Sequence, residues 1–188
     1  MGRWEPNAYG RLQLAALELF DERGFERTTV EDIATRAGLT KRTFFRHFSD
    51  KREVLFGTGD EFKAVFVDSL TAVPPGVAPI DAVAVSLEAA GAMLQERRPF
   101  ARRRQQVIAA NAELQERELI KLASIATALT ETLRERGVEE PAASLTAEAG
   151  IAVFRIAFER WVAAPDDEQR ELPEFIREAL QALRVVTA

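Results

Sequence analysis

The sequence predicts an all-α chain: an N-terminal three-helix helix-turn-helix domain followed by a larger helical domain, about nine helices in all. Three observations predict it. Apolar residues recur at three- and four-residue spacing in nearly every segment between turn signals. Glycine and proline fall at the edges of these periodic runs, at Gly24, Gly38, Pro79, Pro99, Gly137, Pro141 and Pro173. No stretch alternates apolar and polar residues as a half-buried strand would, and no internal repeat or low-complexity stretch occurs.

Helix 1 is expected from an Asn7 N-cap to Gly24, with Leu12, Ala15, Ala16, Leu19 and Phe20 on its buried stripe and Phe25 folding back onto it. Before it, Met1 to Pro6 reads as an irregular arm, from which Arg3 can reach a partner. Helix 2 starts at Thr29, a good N-cap, with Asp32 three residues on to complete a capping-box-like start. Val30, Ile33, Ala34 and Ala37 make its apolar face. Gly38 stands where a left-handed residue ends a helix, and Leu39 plugs the turn. Thr40 is the N-cap of helix 3, which runs from Lys41 to Phe48.

Helix 3 has two unlike faces. At 100° per residue Phe44 and Phe48 share one side and can pack on helix 2. Arg42 and Arg46 point the other way, flanked by Thr43 and Phe45, with Lys41 and His47 nearer the edges. Cations, a hydroxyl and an aromatic ring on one exposed face suit a DNA major groove, which offers acceptors on guanine, a thymine methyl and phosphates along its walls. Lys51 opens the next helix, where backbone N–H groups and a cation can together meet a phosphate. A solvated helix carrying ordinary surface arginines is the plainer reading. The run of cap, apolar face, glycine, apolar plug and second cap favours the helix-turn-helix.

Helix 4 is expected as a continuous helix from Ser49 or Asp50 to Ala72, with Val54, Leu55, Phe62, Val65, Phe66 and Leu70 inward. Gly57 and Gly59 interrupt it at about 1 kcal/mol each. Thr58 with Glu61 can instead restart it as a capping box, which would make this stretch a joint between domains. After the loop VPPGVAP, helix 5 runs from Pro79 or Ile80 to Arg97, helix 6 from Pro99 to Ala110, and helix 7 from Ala112 to Arg136. Helix 8, from Pro141 to Ala163, is apolar nearly all round from Ala149 onward, so it needs cover on more than one side. Pro165 to Leu172 is acidic and irregular, and helix 9 starts at Pro173 with Ile176, Ala179, Leu180 and Leu183 on one stripe. Helices 8 and 9 from each of two chains would close a four-helix bundle about a two-fold axis.

The 188 residues are 47% hydrophobic and 29% charged, enough for one small and one moderate domain, which we place at 1–50 and 51–188. The absence of cysteine rules out disulfides and thiolate metal sites and suits a cytoplasmic location. The start MGRWEPNAYG has no apolar signal core, and no stretch is apolar enough to span a membrane. The net charge of −5 is unevenly spread: residues 40–52 hold five Lys/Arg against one acid, whereas residues 57–188 carry fifteen against twenty-one. The positive field is therefore local.

Catalysis finds little support. The one histidine sits in helix 3, no Gly-rich phosphate loop or G-x-S-x-G elbow occurs, and paired acids such as Asp166/Asp167 and Glu139/Glu140 lie at helix boundaries. The chain is read as a non-enzyme with no cofactor and no metal site.

The stretch from Leu12 to Leu55, with ALELFDERGF, TTVEDIATRAGLTKRTFFRHF and the following DK, resembles the DNA-binding domain of TetR-family transcriptional regulators. One position departs from that family: Phe45 stands where a tyrosine commonly bonds a phosphate, so its contact is limited to sugar or a thymine methyl. The resemblance implies a homodimer whose C-terminal domain is helical and binds a small molecule, with ligand binding releasing a repressor from a palindromic operator. Arg42, Thr43 and Arg46 would then face bases, and Thr29, Lys41, His47 and Lys51 would hold phosphates. The stretch FARRRQQVIAANAELQERELIKLA is similar to a C-terminal type in this family associated with acyl-CoA-like ligands. On that footing the Arg102–Arg104 run can hold a phosphate or carboxylate at a pocket mouth; alternatively it is a basic face paired with Glu113 and Glu116. Phe62, Phe100, Arg104, Ile125 and Phe158 are the candidate ligand residues, for an acyl-CoA-like or lipophilic effector. Two rivals stay open: a ligand-independent DNA-binding dimer, and a helical carrier or enzyme with an inert helix-turn-helix.

Overall fold

In a computed structural model the chain is described at residues 8–57, 59–165, 168 and 170–187. Among these residues there are nine α-helices and no strand: α1 (Ala8–Arg23), α2 (Val30–Arg36), α3 (Lys41–His47), α4 (Gly59–Thr71), α5 (Pro79–Leu94), α6 (Arg98–Ala109), α7 (Ala112–Glu135), α8 (Ala142–Ala163) and α9 (Leu172–Thr187). None of them is long and apolar enough to cross a membrane. The terminal arm with Arg3, the Asn7 cap, Thr58 and the Asp166/Asp167 pair lie outside the described residues. Contacts group the chain into two compact units, Met1–Thr58 with Arg103–Glu118, and Gly59–Arg102 with Leu119–Ala188.

In the first unit α1 supplies a buried floor of Leu12, Ala15, Ala16, Leu19 and Phe20, with the Phe25 ring 5.2 Å from that of Phe20. Ile33, Ala34 and Ala37 of α2 and Phe44 and Phe48 of α3 bury against it, the periodicity expected of each short helix. The turn between α2 and α3 closes on Gly38, whose φ of 66° is left-handed. Leu39 N–H donates to Ala34 O and Gly38 N–H to Thr35 O, so these two carbonyls near the end of α2 are satisfied within the chain. Arg11 of α1 adds a donor to Ala37 O across the same turn.

Residues 103–118 join this unit through ion pairs and a few buried apolar side chains. Arg103 pairs with Asp21 at 2.6 Å, Arg117 with Glu53 at 2.6 Å, and Arg52 with Glu113 at 2.9 Å. Val107, Ile108 and Leu114 of this segment are buried. The two exposed pairs, Arg103–Asp21 and Arg52–Glu113, contribute about 0–1 kcal/mol each, whereas Glu53 in the third is buried.

Helix 4 does not run continuously from Ser49 or Asp50. The Asp50 carboxylate accepts from Arg52 N–H (2.8 Å) and Glu53 N–H (3.1 Å) and caps a 3-10 turn over Arg52–Leu55. Phe56 then leaves helical geometry, and α4 starts at Gly59. At this break Gly57 is in a crowded place. A Cβ on Gly57 would drive into the Phe48 ring edge and come within 2.6 Å of the Tyr9 hydroxyl. That ring is held in place, being 3% exposed and packed on Tyr9 and Phe44. Gly57→Ala is therefore expected to destabilise by about 1–3 kcal/mol. Gly59→Ala meets only the far end of Lys121, at 3.5 Å and beyond, and is neutral or stabilising by up to about 1 kcal/mol. Denaturant unfolding of the two variants checks this opposition; in a continuous helix both would stabilise.

In the second unit α5 packs against α4, α8 and α9, and α8 against α9. Phe66, Leu70, Val83, Leu87, Leu129, Leu133, Phe154, Trp161 and Ile176 form its core. One side of α8 is covered in this way. The other leaves Leu145 67% and Ile156 46% exposed, and α9 ends with Val185 and Val186 at 69% and 79%. The carboxyl end of α8 is held by two guanidiniums. Arg98 donates to the carbonyls of Trp161, Ala164, Pro165 and Glu168, and Arg102 to those of Val162 (2.7 Å) and Ala164 (2.5 Å). Cations there meet both the orphan carbonyls and the negative end of the helix dipole.

Candidate nucleic-acid and ligand sites

Two caps set the pitch of the reading surface. Thr29 Oγ1 accepts from Asp32 N–H (3.1 Å), while Asp32 Oδ2 accepts from Thr29 N–H (2.9 Å) and from the Thr29 hydroxyl (2.6 Å). Arg23 closes on the same carboxylate at 2.8 Å. The Thr29 hydroxyl bond, then the Thr29 N–H, then Arg23 lower the Asp32 pKa from an ordinary 3.8 to about 2. The sign follows from linkage. The folded form holds this proton less well than the unfolded chain, so the stabilisation is complete above about pH 4 and is lost as the pH falls through about 2. Asp32→Asn should lie below the parent chain in melting temperature at neutral pH and converge with it towards about pH 2, as thermal unfolding across that range will show.

The second cap is Thr40, whose Oγ1 accepts from Thr43 N–H (3.2 Å) and shares a hydrogen bond with Thr43 Oγ1 (3.0 Å). It starts α3 and turns its polar face outward. Lys41, Arg42, Phe45 and Arg46 are exposed, Phe45 by 50%; Thr43 and His47 are half-buried. Among the described residues Lys41, Arg42 and Arg46 have no hydrogen-bonding or ionic side-chain partner, whereas the other arginines near them do. Arg36 pairs with Glu18 and Glu22, Arg23 with Asp32, and Arg52 with Asp50 and Glu113; Arg27 donates to Arg23 O. The charge available to an external anion is thus gathered on one helix.

The remaining candidates are more occupied. His47 stands edge-on to Tyr9 at 6.2 Å, and its Nε2 is buried without a partner, which leaves Nδ1 as the ring nitrogen for an outside contact. Lys51 Nζ donates to Phe25 O (2.8 Å) and lies 3.9 Å from the centre of the Phe25 ring, so part of its capacity already ties the α1–α2 loop. Arg11 is a positioning residue that the sequence reading missed, because its contact spans 26 residues with no local signal.

The five ligand candidates are not all brought together. Phe62 and Phe158 are half-buried and are connected through Phe154, at 5.9 and 6.2 Å between rings. Ile125 is buried in the same core, and Trp161 extends the aromatic run 5.8 Å beyond Phe158. Phe100 is half-buried on α6, its ring 5.9 Å from the Arg97 guanidinium, and has no ring contact with the run. Arg104 belongs to the first unit. Its Nε donates to Leu55 O (2.8 Å), its Nη1 to Glu118 (3.0 Å), and its guanidinium lies over Phe56. Burial pulls this guanidinium below its ordinary value, and Glu118 opposes that shift. The Arg102–Arg104 run thus splits three ways: Arg102 to the end of α8, Arg103 to Asp21 and Arg104 to Glu118. No described pair joins the run to Glu113 or Glu116; Glu113 is taken by Arg52.

Residues 14–57 match the family described as bacterial regulatory proteins, tetR family, and residues 77–187 match the MftR C-terminal domain. The chain belongs to the TetR family. This TetR-family transcriptional regulator is 40% identical to the regulator TcmR of Streptomyces glaucescens over 74 residues, 39% of this chain and 33% of that one. It is 29% identical to the transcriptional regulator MftR of Mycobacterium tuberculosis over 115 residues, 61% of this chain and 58% of that one. The matches thus span about a third and somewhat over half of those relatives' lengths. In fold it is similar to the regulator FadR of Bacillus subtilis, solved in complex with stearoyl-CoA, with a TM-score of 0.62 over 93% of this chain and 97% of that one at 20% identity.

Proposed function

We propose that this regulator is a cytoplasmic, homodimeric, one-component repressor that reads a palindromic operator with α3 of each protomer and is released by a small, mainly apolar ligand. The observation that carries the reading is the set of unpartnered cations on α3, Lys41, Arg42 and Arg46, in a chain whose neighbouring arginines are nearly all neutralised. Arg42, Thr43 and Arg46 face bases, Phe45 packs on sugar or a thymine methyl, and Thr29, Lys41, His47 and Lys51 hold the backbone. Dimerisation uses α8 and α9, whose Leu145, Ile156, Val185 and Val186 are exposed and apolar. The two α3 helices then stand about 34–36 Å apart to enter successive major grooves.

The ligand site is the aromatic cluster of Phe62 and Phe158 with Ile125, without Phe100, for a lipophilic or acyl-CoA-like effector. The stearoyl-CoA bound to FadR supports that class. Arg104 is a structural residue in this reading. The test is selection of bound duplex from a random pool, repeated with acyl-CoAs and lipophilic drugs, with sedimentation of the bound species. A two-fold symmetric site held by a dimer, and a compound that weakens it, are expected. A monomer on an asymmetric site contradicts the dimeric reading, and affinity unmoved by every compound contradicts ligand release.

A further inference from the structure

Among the described residues, one buried polar side-chain atom in the second unit has no partner. Trp161 is fully buried on α8, and its indole Nε1 makes no hydrogen bond. The other buried polar side chains of that unit are satisfied: Ser86 donates to Val83 O at 2.7 Å and Thr132 to Ala128 O at 2.9 Å. The remaining unpartnered buried side-chain atoms, on Arg23, His47 and Gln105, all belong to the first unit. A buried tryptophan N–H normally finds an acceptor, and leaving it without one opposes folding. A group retained at such a cost calls for an explanation, and its position offers one. Trp161 ends the ring run Phe62–Phe154–Phe158–Trp161, in which Phe62 and Phe158 are half-buried and Phe154 and Trp161 buried.

We propose that the Trp161 indole N–H is the polar anchor of the ligand site, and that the effector carries a neutral carbonyl-type acceptor on an apolar body. The inference rests on the reading of the aromatic cluster as that site. Phe158, half-buried and beside the indole, is the side chain a ligand displaces to reach the donor. The acceptor is neutral because Arg98, the cation that lies against the indole ring among the described residues, is not free to accompany an anion. Arg98, 5.8 Å from the indole ring, gives its Nε, Nη1 and Nη2 donors to four backbone carbonyls, and Arg102 donates to one of these, Ala164 O, and to Val162 O. Burying a carboxylate or phosphate at the indole would leave that charge unpaired, whereas a carbonyl oxygen needs the one donor present. Specificity then follows from mismatch: a hydrocarbon of the same shape leaves the N–H unsatisfied, and an acceptor-bearing ligand does not.

The experiment uses the full chain labelled with 15N and two probes of one shape, benzylacetone and butylbenzene, the second lacking the carbonyl. The chain has two tryptophans, so two indole N–H resonances occur. That of Trp161 is assigned by its loss in Trp161→Phe or, should that variant not fold, by its protection from solvent exchange. Benzylacetone is expected to move this resonance downfield and to bind about tenfold more tightly than butylbenzene, with the preference lost in Trp161→Phe. Equal binding of both probes with the indole resonance unmoved overturns the anchor while leaving the apolar site intact. Binding of neither overturns the aromatic site itself, and the anchor with it.

Discussion

Arg46→Ala lowers affinity for the selected operator by about 1–3 kcal/mol per half-site and relaxes preference at one position in each. Two protomers lose the contact, so the whole site weakens by about 2–6 kcal/mol if the half-sites act independently. The physical ground is that Arg46 is exposed on α3 without an internal partner, so its guanidinium is available to the two acceptors on a guanine edge. Folding should be untouched, since a surface change away from caps and core usually stays within about 0.5 kcal/mol. Lys41→Ala is the control. An ammonium on a phosphate carries no sequence information, so that variant weakens all duplexes alike and lowers the salt slope by about 1 for each protomer. Titrations on the selected site, on single-position variants of it and on random duplex, at several salt concentrations, separate the two.

Phe44→Ala removes the ring at the centre of the first unit and is expected to destabilise it by about 3–5 kcal/mol. Phe44 is fully buried and contacts the Phe45 and Phe48 rings at 5.5 and 5.3 Å. Phe48 in turn is packed by Tyr9. The truncation leaves a cavity under a seven-residue helix that is too short to stand on its own propensity. Against a typical total of about 5–15 kcal/mol this is a large fraction. Amide exchange in α2 and α3 should accelerate by about two to four powers of ten, and binding to selected and random duplex should fall together. That joint loss distinguishes a collapsed support from a lost base contact, where selected duplex alone suffers.

The parts of this structure legible in the sequence are those built by neighbours in the chain. Thr29 with Asp32, Gly38 with Leu39, and Thr40 with Thr43 each act within a few residues, so caps, turn and faces of the helix-turn-helix follow from spacing. Helix 4 was not legible in the same way. Two glycines at about 1 kcal/mol each cannot decide between a poor helix and a break, and the crowding of Gly57 by Phe48 and Tyr9 comes from residues outside that stretch's own spacing. The arginine run shows the same limit. Arg102, Arg103 and Arg104 are adjacent, but their partners stand 60, 82 and 14 residues away. Phe62, Ile125 and Phe158 could be picked as apolar positions on three helices, yet the chain of ring contacts that ends on an unpartnered indole is a property of packing.

The central claim is that α3 reads sequence. The most direct measurement is the ratio of affinities for the best selected duplex and for random duplex of the same length, at one physiological salt concentration. A ratio of about a thousand or more, carried by a two-fold symmetric site, is expected. Random duplex held as tightly as the selected one would contradict it.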